Sequence, residues 1–155
     1  MFEEFLGLPL HPLAVHAAVV FVPLLAVAAL AYALVPSFRA KVGWLAALLA
    51  VIAPISAVVA RMSGLGFQER SGLQLQGDLA THENYGTITM WVTIALGVVT
   101  LALIWSRRSG GGESRGWSWL SIALTVLVVA GAVAAAVYVA LAGDLGSRMV
   151  WEGSI

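Results

Sequence analysis

The three histidines are the residues of this sequence best suited to chemistry, and all lie where long apolar segments begin. His11 precedes Pro12 at the start of the first apolar segment, and His16 lies about one and a half helical turns deeper. His82 comes shortly before the third apolar segment. Imidazole ligates haem iron, copper and zinc. Because ionisable groups at membrane depth are costly, their presence there favours a functional role.

The composition is that of a membrane protein. The chain has 155 residues, of which 61% are hydrophobic and 10% charged, whereas soluble domains carry about 25% charged residues. Its formal net charge is zero, which argues against nucleic acid as a partner because phosphate binding needs a basic excess. The absence of cysteine excludes disulfides, thiolate catalysis and cysteine-ligated metal centres.

Four apolar segments have the length of a transmembrane helix, which needs roughly 20 residues. We expect spans at about residues 12–35, 42–60, 87–105 and 117–142. None shows the alternation of a membrane β-strand. The acidic start of the first segment, with Glu3 and Glu4, favours a retained helix over a cleaved signal peptide. The sequence therefore predicts one all-α domain over residues 1–155, a four-helix bundle in the lipid bilayer.

The basic residues predict the orientation. Arg39, Lys41, Arg107, Arg108 and Arg115 fall in the two short connections on one side, whereas Arg61, Arg70 and Arg148 are spread along longer segments on the other. Since lysine and arginine are enriched in cytoplasmic loops, we expect both termini and the segment after Arg61 to lie outside the cytoplasmic membrane. The histidines then lie at the outer side, where the first and third spans both begin.

Three interpretations of the histidines stay open at this point. Two histidines from facing helices could ligate a b-type haem, with His16 and His82 as the better pair because His16 lies within a span, and with His11 as an alternative ligand or propionate partner. The three histidines, with Glu83, could instead bind zinc or copper. Each histidine could also be structural, bonded to a backbone carbonyl. His11 and His16 lie about 140° apart around a helix, so both face one metal only if Pro12 delays the helix start.

The remaining sequence signals are weaker. Small residues four apart, such as Ala46/Ala50, Ala53/Ala57 and Ala130/Ala134, predict close helix packing, within the chain, in a homo-oligomer or in a larger membrane complex. Glycines at 64, 66, 72 and 77 argue against one continuous helix in the segment between the second and third spans. Asp144 is expected in a turn after the fourth helix. We see no internal repeat.

No motif of a stand-alone enzyme is present: the sequence has no nucleophile elbow, no zinc-protease motif and no phosphate-binding loop. No carboxylate lies in the middle of a span, which argues against an ion pump or secondary transporter. An electron-transfer or accessory subunit fits better than a stand-alone enzyme, and we assign no catalytic residue.

Three segments resemble a known family. Residues 8–20, with His11-Pro12 and Val15-His16, resemble an opening His-Pro-x-x-Val-His-Phe-Pro motif, with alanines at 17 and 18 in place of Phe-Pro. Residues 81–86 resemble a His-Glu-x-x-Gly motif before the third helix, and residues 143–153 resemble a glycine-containing closing motif. Together they are similar to a family of bacterial four-helix membrane proteins, domain of unknown function 2231.

The resemblance implies a candidate ligand set and a redox setting. His11, His16 and His82 match the family's histidine positions, and some family members are fused to, or neighbours of, cytochrome-type or Rieske-type redox domains. The resemblance also implies that residues 146–153 cap the site, with Trp151 packed on it. We therefore expect a small haem b electron carrier or redox-complex subunit whose partner is a redox protein at the outer face. The alternatives are a scaffold with structural histidines and a histidine-ligated copper or zinc protein.

Overall fold

Four long helices make up nearly all of the described structure. The computed structural model describes residues 4–5, 8–71, 77–109 and 119–151. Two short strands, β1 (Glu4–Phe5) and β2 (Leu8–Pro9), pair antiparallel ahead of α1 (Leu10–Leu34). A single 3₁₀ turn (Pro36–Phe38) leads to α2 (Arg39–Ser71), which is followed by α3 (Gly77–Ser109) and α4 (Trp119–Trp151). The small strand pair was not predicted.

The four helices confirm the prediction of an all-α bundle. Each is long and apolar enough to cross a membrane, so the chain is an integral membrane protein in contact with lipid. The helices are longer than the predicted spans: α2 runs through Gly64 and Gly66, and Asp144 lies inside α4 rather than in a turn. The expected turn at Asp144 was therefore wrong. Gly64 and Gly66 do not end α2 because a helical glycine costs only about 1 kcal/mol, which helix packing can offset. As the glycines predicted, the segment is not one helix: α2 ends at Ser71, and α3 begins at Gly77, whose φ is +56°.

The helices run alternately up and down around one axis. Neighbouring helices in the sequence pack side by side, α4 returns to α1, and α1 and α3 lie diagonally opposite with little direct contact. The first residues of α1 and α3 therefore lie at the same end as the last residues of α2 and α4. We call this the histidine end, after His11 and His82, and the opposite end the arginine end, after Arg39 and Arg107.

Small side chains fill the centre of the bundle. Ala46, Ala50, Ala53 and Ala57 of α2 are all buried, so the predicted small-residue face of α2 packs inside the chain. In α4 the buried small residues are Ala132 and Ala135, while Ala130 and Ala136 are exposed. Large apolar side chains cover the outside, among them Val27, Trp44, Val98 and Trp105, as a lipid-facing surface requires.

At the arginine end, two arginines satisfy the carbonyls that close α1. Arg39 Nε donates to Tyr32 O at 3.2 Å, and Arg107 donates to Tyr32 O at 3.1 Å and to Thr125 Oγ1 at 3.0 Å. The guanidinium of Arg107 also lies over the Tyr32 ring, 5.6 Å from its centroid. The last carbonyls of a helix lack intrahelical partners, so these contacts tie α1, α3 and α4 together.

Two fully buried threonines of α3 give a matched test of the core. Thr93 Oγ1 donates to Thr89 O at 2.7 Å, whereas Thr100 Oγ1 has no hydrogen-bond partner among the described residues. Thr100→Val is expected to raise the free energy of unfolding by about 1 kcal/mol, because it removes a buried unpaired hydroxyl. Thr93→Val should lower it by about 1 kcal/mol. Thermal unfolding in one detergent compares them; equal destabilisation by both would show that Thr100 has a partner.

Candidate site at the histidine end of the bundle

His11 joins α1 to α2. Its Nδ1 lies 3.2 Å from both Ala60 O and Ser63 Oγ, and its ring stacks on Phe67 with centroids 6.1 Å apart. The imidazole rests against Gly64, whose missing side chain leaves room for it. Since a carbonyl oxygen only accepts hydrogen bonds, Nδ1 carries the hydrogen in the bond to Ala60, and the neutral ring keeps a free lone pair on Nε2.

His82 makes the same kind of contact between α3 and α4. Its Nδ1 lies 3.0 Å from Ala142 O, and its ring rests against Gly146. Here too the carbonyl fixes the hydrogen on Nδ1 and leaves the Nε2 lone pair available in the neutral ring. The histidine end therefore holds two similarly bonded imidazoles on diagonally opposite helices.

His16 does not join them. Its side chain is exposed, and its Nδ1 bonds to Pro12 O of its own helix at 2.6 Å. Because α1 begins at Leu10, Pro12 does not delay the helix, and the five-residue spacing turns His16 away from the face that His11 occupies. The structure thus brings His11, rather than His16, to the same end and interior as His82.

Glu83 pairs with an arginine rather than with a histidine. Arg61 Nη2 donates to Glu83 Oε1 at 2.5 Å, and Arg61 Nε donates to Thr87 Oγ1 at 2.8 Å. Both charged side chains are mostly buried, with 18% and 24% of their surface exposed. This ion pair closes the seam between α2 and α3 and explains why an arginine lies at the end of a span. Sequence reasoning missed it, although opposite charges at the facing ends of consecutive spans were visible.

The four predicted metal-binding residues are therefore not gathered at one point. His11 and His82 lie at the same end of the bundle on diagonally opposite helices, while His16 is exposed and Glu83 is bound to Arg61. Within the described parts of the chain, no group of three or more histidine, aspartate or glutamate side chains is placed to hold a metal ion. The donor set that the described structure offers is a pair of imidazoles.

The end of α4 differs from the expected cap. Residues 146–151 continue the helix, and Trp151 is 87% exposed, so it does not pack on the site. Residues 152 and 153 lie outside the described structure. What this segment does provide is Gly146, in contact with His82. Asp144 forms an exposed ion pair with Arg148 at 3.0 Å, of a kind that contributes little to stability.

The fold and the site define a class: a four-helix integral membrane protein with paired imidazoles at one end of the bundle. The family model described as "Predicted membrane protein (DUF2231)" matches residues 7–155. The chain therefore belongs to this family, which confirms the resemblance seen in the sequence. No curated protein and no solved structure matches the chain.

Proposed function

We propose that this protein is a membrane electron carrier, or a subunit of a membrane redox complex, in which His11 and His82 would hold one haem b. The observation that carries the proposal is the matching pair of Nδ1 bonds to Ala60 O and Ala142 O. Histidines that ligate metals commonly bond through their other ring nitrogen to a carbonyl, which fixes the tautomer and the ring orientation.

We propose the pair His11/His82 in place of the pair His16/His82 that the sequence favoured. A ligand must reach the interior between the helices, and the exposed His16 bonds to its own helix instead. Haem would supply an iron that gains and loses one electron, and two imidazole ligands suit electron transfer. The chain's part is to hold both rings in place and to surround them with lipid-covered apolar helices.

The proposed setting is the cytoplasmic membrane with the histidine end outside. Arg39, Lys41, Arg107 and Arg108 lie toward the arginine end, and Arg115 lies in the same connection in the sequence. The positive-inside rule supports placing this end in the cytoplasm. A redox protein at the outer face would then exchange electrons with the site, and a homo-oligomer or a larger membrane complex would use the lipid-facing helix surfaces.

A scaffold or accessory subunit with structural histidines is the second candidate, and the same hydrogen bonds favour it. His11 ties α1 to α2 and His82 ties α3 to α4, which stabilises the bundle without any cofactor. A copper or zinc site is the remaining alternative, although structural zinc takes four ligands and catalytic zinc three.

The experiment is an absorbance spectrum of the detergent-purified protein, expressed with ample haem, with metal analysis of the same sample. A Soret band with sharp α and β bands after dithionite reduction would support the haem proposal. A protein that is folded by circular dichroism and lacks a Soret band would contradict it. Bound copper or zinc in that sample would then indicate the metal site. A sample with neither metal would favour the scaffold candidate.

A further inference from the structure

Two glycines contact the two histidine rings in the same way: Gly64 lies against His11, and Gly146 lies against His82. A Cβ atom at Gly64 would lie 3.0 Å from His11 Cε1, 3.3 Å from Nδ1 and 3.7 Å from Nε2. At Gly146 the corresponding distances to His82 are 2.9, 3.4 and 3.7 Å. Neither glycine adopts a positive φ, so what these positions require is the absence of a side chain. Each ring occupies the space that a methyl group would fill.

The correspondence extends along all four helices. His82 lies 71 positions after His11, and each buried residue described in α3 lies 71 positions after a buried residue of α1, as Thr93, Leu96 and Ile104 do after Val22, Leu25 and Ala33. Ala142 and Gly146 lie 82 positions after Ala60 and Gly64. The buried residues Val128, Ala132 and Ala135 likewise follow Ala46, Ala50 and Ala53 by 82 positions.

These two registers describe an internal repeat that was not seen in the sequence. The hairpin of α1 and α2 corresponds to the hairpin of α3 and α4, and the corresponding helices run in the same direction. Their relation is a pseudo-two-fold rotation about the bundle axis, as in membrane proteins built from parallel repeats. Each hairpin has a histidine, the backbone carbonyl that this histidine bonds and the glycine that its ring contacts at corresponding positions.

The two-fold relation is broken at one seam. Arg61 and Thr87, which bond across the α2–α3 seam, correspond to Gly143 and His16 at the α4–α1 seam. Because a glycine takes the position of Arg61, the Arg61–Glu83 ion pair has no counterpart at the α4–α1 seam. A Cβ atom at Gly143 would meet nothing within 4 Å. The exposed His16 stands at the position of a threonine, outside the histidine–carbonyl–glycine unit of its hairpin.

We infer that Gly64 and Gly146 are paired positioning residues, which present His11 and His82 equivalently to a single ligand on the pseudo-two-fold axis. The ligand class that fits is a planar metal macrocycle, since its metal takes two equivalent axial ligands from opposite faces, whereas a tetrahedral metal ion needs more donors than this pair. The choice of ligand rests on the proposed haem function. The positioning of the two rings by Gly64 and Gly146 does not depend on it.

The test compares four single glycine-to-alanine substitutions. Gly64→Ala and Gly146→Ala add the methyl group that would meet a histidine ring, while Gly66→Ala and Gly143→Ala add it to the same helices in open space. Each protein is purified without added haem, and ¹⁵N-histidine NMR in detergent reads the Nδ1–H signals, assigned with His11→Gln and His82→Gln. We expect Gly64→Ala to move the His11 signals alone and Gly146→Ala to move the His82 signals alone, with both controls unchanged.

Haem titration of the same proteins supplies the second readout. Gly64→Ala and Gly146→Ala should each weaken haem binding by about 10-fold to 100-fold and to a similar extent, as loss of support for a ligand does. Unmoved histidine signals in both variants would overturn the inference, and an effect of only one glycine would overturn the equivalence. If the signals move as expected but the unsubstituted protein binds no haem, the positioning role holds and the proposed haem function fails.

Discussion

Replacing His82 with alanine is expected to abolish the low-spin haem spectrum, and His11→Ala should do the same. Each imidazole is proposed to supply one of two axial bonds, so its loss leaves the iron with an open position. We expect haem affinity to fall by more than about 100-fold, since even the loss of a residue that supports a ligand costs 10-fold to 100-fold. Absorbance spectra of the oxidised and dithionite-reduced proteins measure this effect.

His16→Ala is the matched control, because His16 is exposed and bonds only to Pro12 O of its own helix among the contacts described. Its spectrum should equal that of the unsubstituted protein. Added imidazole should restore low-spin bands to His82→Ala, an outcome that a purely structural histidine would not give. A His16→Ala protein without the spectrum, beside a normal His82→Ala protein, would contradict the ligand assignment.

Gly97→Ala is expected to cause the largest loss of stability of any single methyl group added to a described glycine. A Cβ atom at this position would lie 2.5 Å from Ala50 O and 3.0 Å from Pro54 Cγ. Pro54 has no N–H to bond Ala50 O, four residues earlier in α2, and Gly97 of α3 packs against this carbonyl. Since the clash is with the backbone of α2, α2 and α3 must separate. This separation is expected to lower the free energy of unfolding by about 1–3 kcal/mol or more.

Thermal unfolding in detergent checks this expectation, and Gly86→Ala is the control on the same helix. A methyl group at Gly86 meets nothing within 4 Å, so this change should leave the Tm unchanged or raise it slightly through helix propensity. Gly97→Ala should lower the Tm by about 2–4 °C for each kcal/mol lost. Equal Tm values for the two variants would show that α2 and α3 are packed less closely.

The spans could be predicted from sequence, whereas the helix ends could not. Spans follow from the length of apolar segments, which a bilayer requires. The ends depend on tertiary contacts: α2 continues through Gly64 because the His11 ring fills the space beside it. A glycine in the sequence does not indicate which side chain will fill the space beside it.

The residues of the candidate site could be found from sequence, but their pairing could not. The three histidines were visible, and the angle between His11 and His16 already separated them. The depth of His16 in its span favoured it as a ligand. The carbonyls that bond His11 and His82, however, lie 49 and 60 positions away from them in the sequence. A backbone carbonyl has no residue signature, so nothing in the sequence indicates Ala60 or Ala142 as partners.

The internal repeat was hidden for two physical reasons. The connection between α3 and α4 is longer than that between α1 and α2. Corresponding residues of α1 and α3 are therefore 71 positions apart, whereas those of α2 and α4 are 82 positions apart. A search at one fixed spacing fails for this reason. The core positions also need only be apolar or small, which lets Val22 correspond to Thr93 and Ala46 to Val128 without any identity.

Quantitative electron paramagnetic resonance of the oxidised, purified protein tests the central claim most directly. Ligation by His11 and His82 predicts one low-spin ferric centre for each chain, with both axial positions occupied by imidazole. A high-spin ferric signal would show an open axial position and contradict the paired ligands. A folded protein with no ferric signal, after expression with ample haem, would contradict the haem site itself.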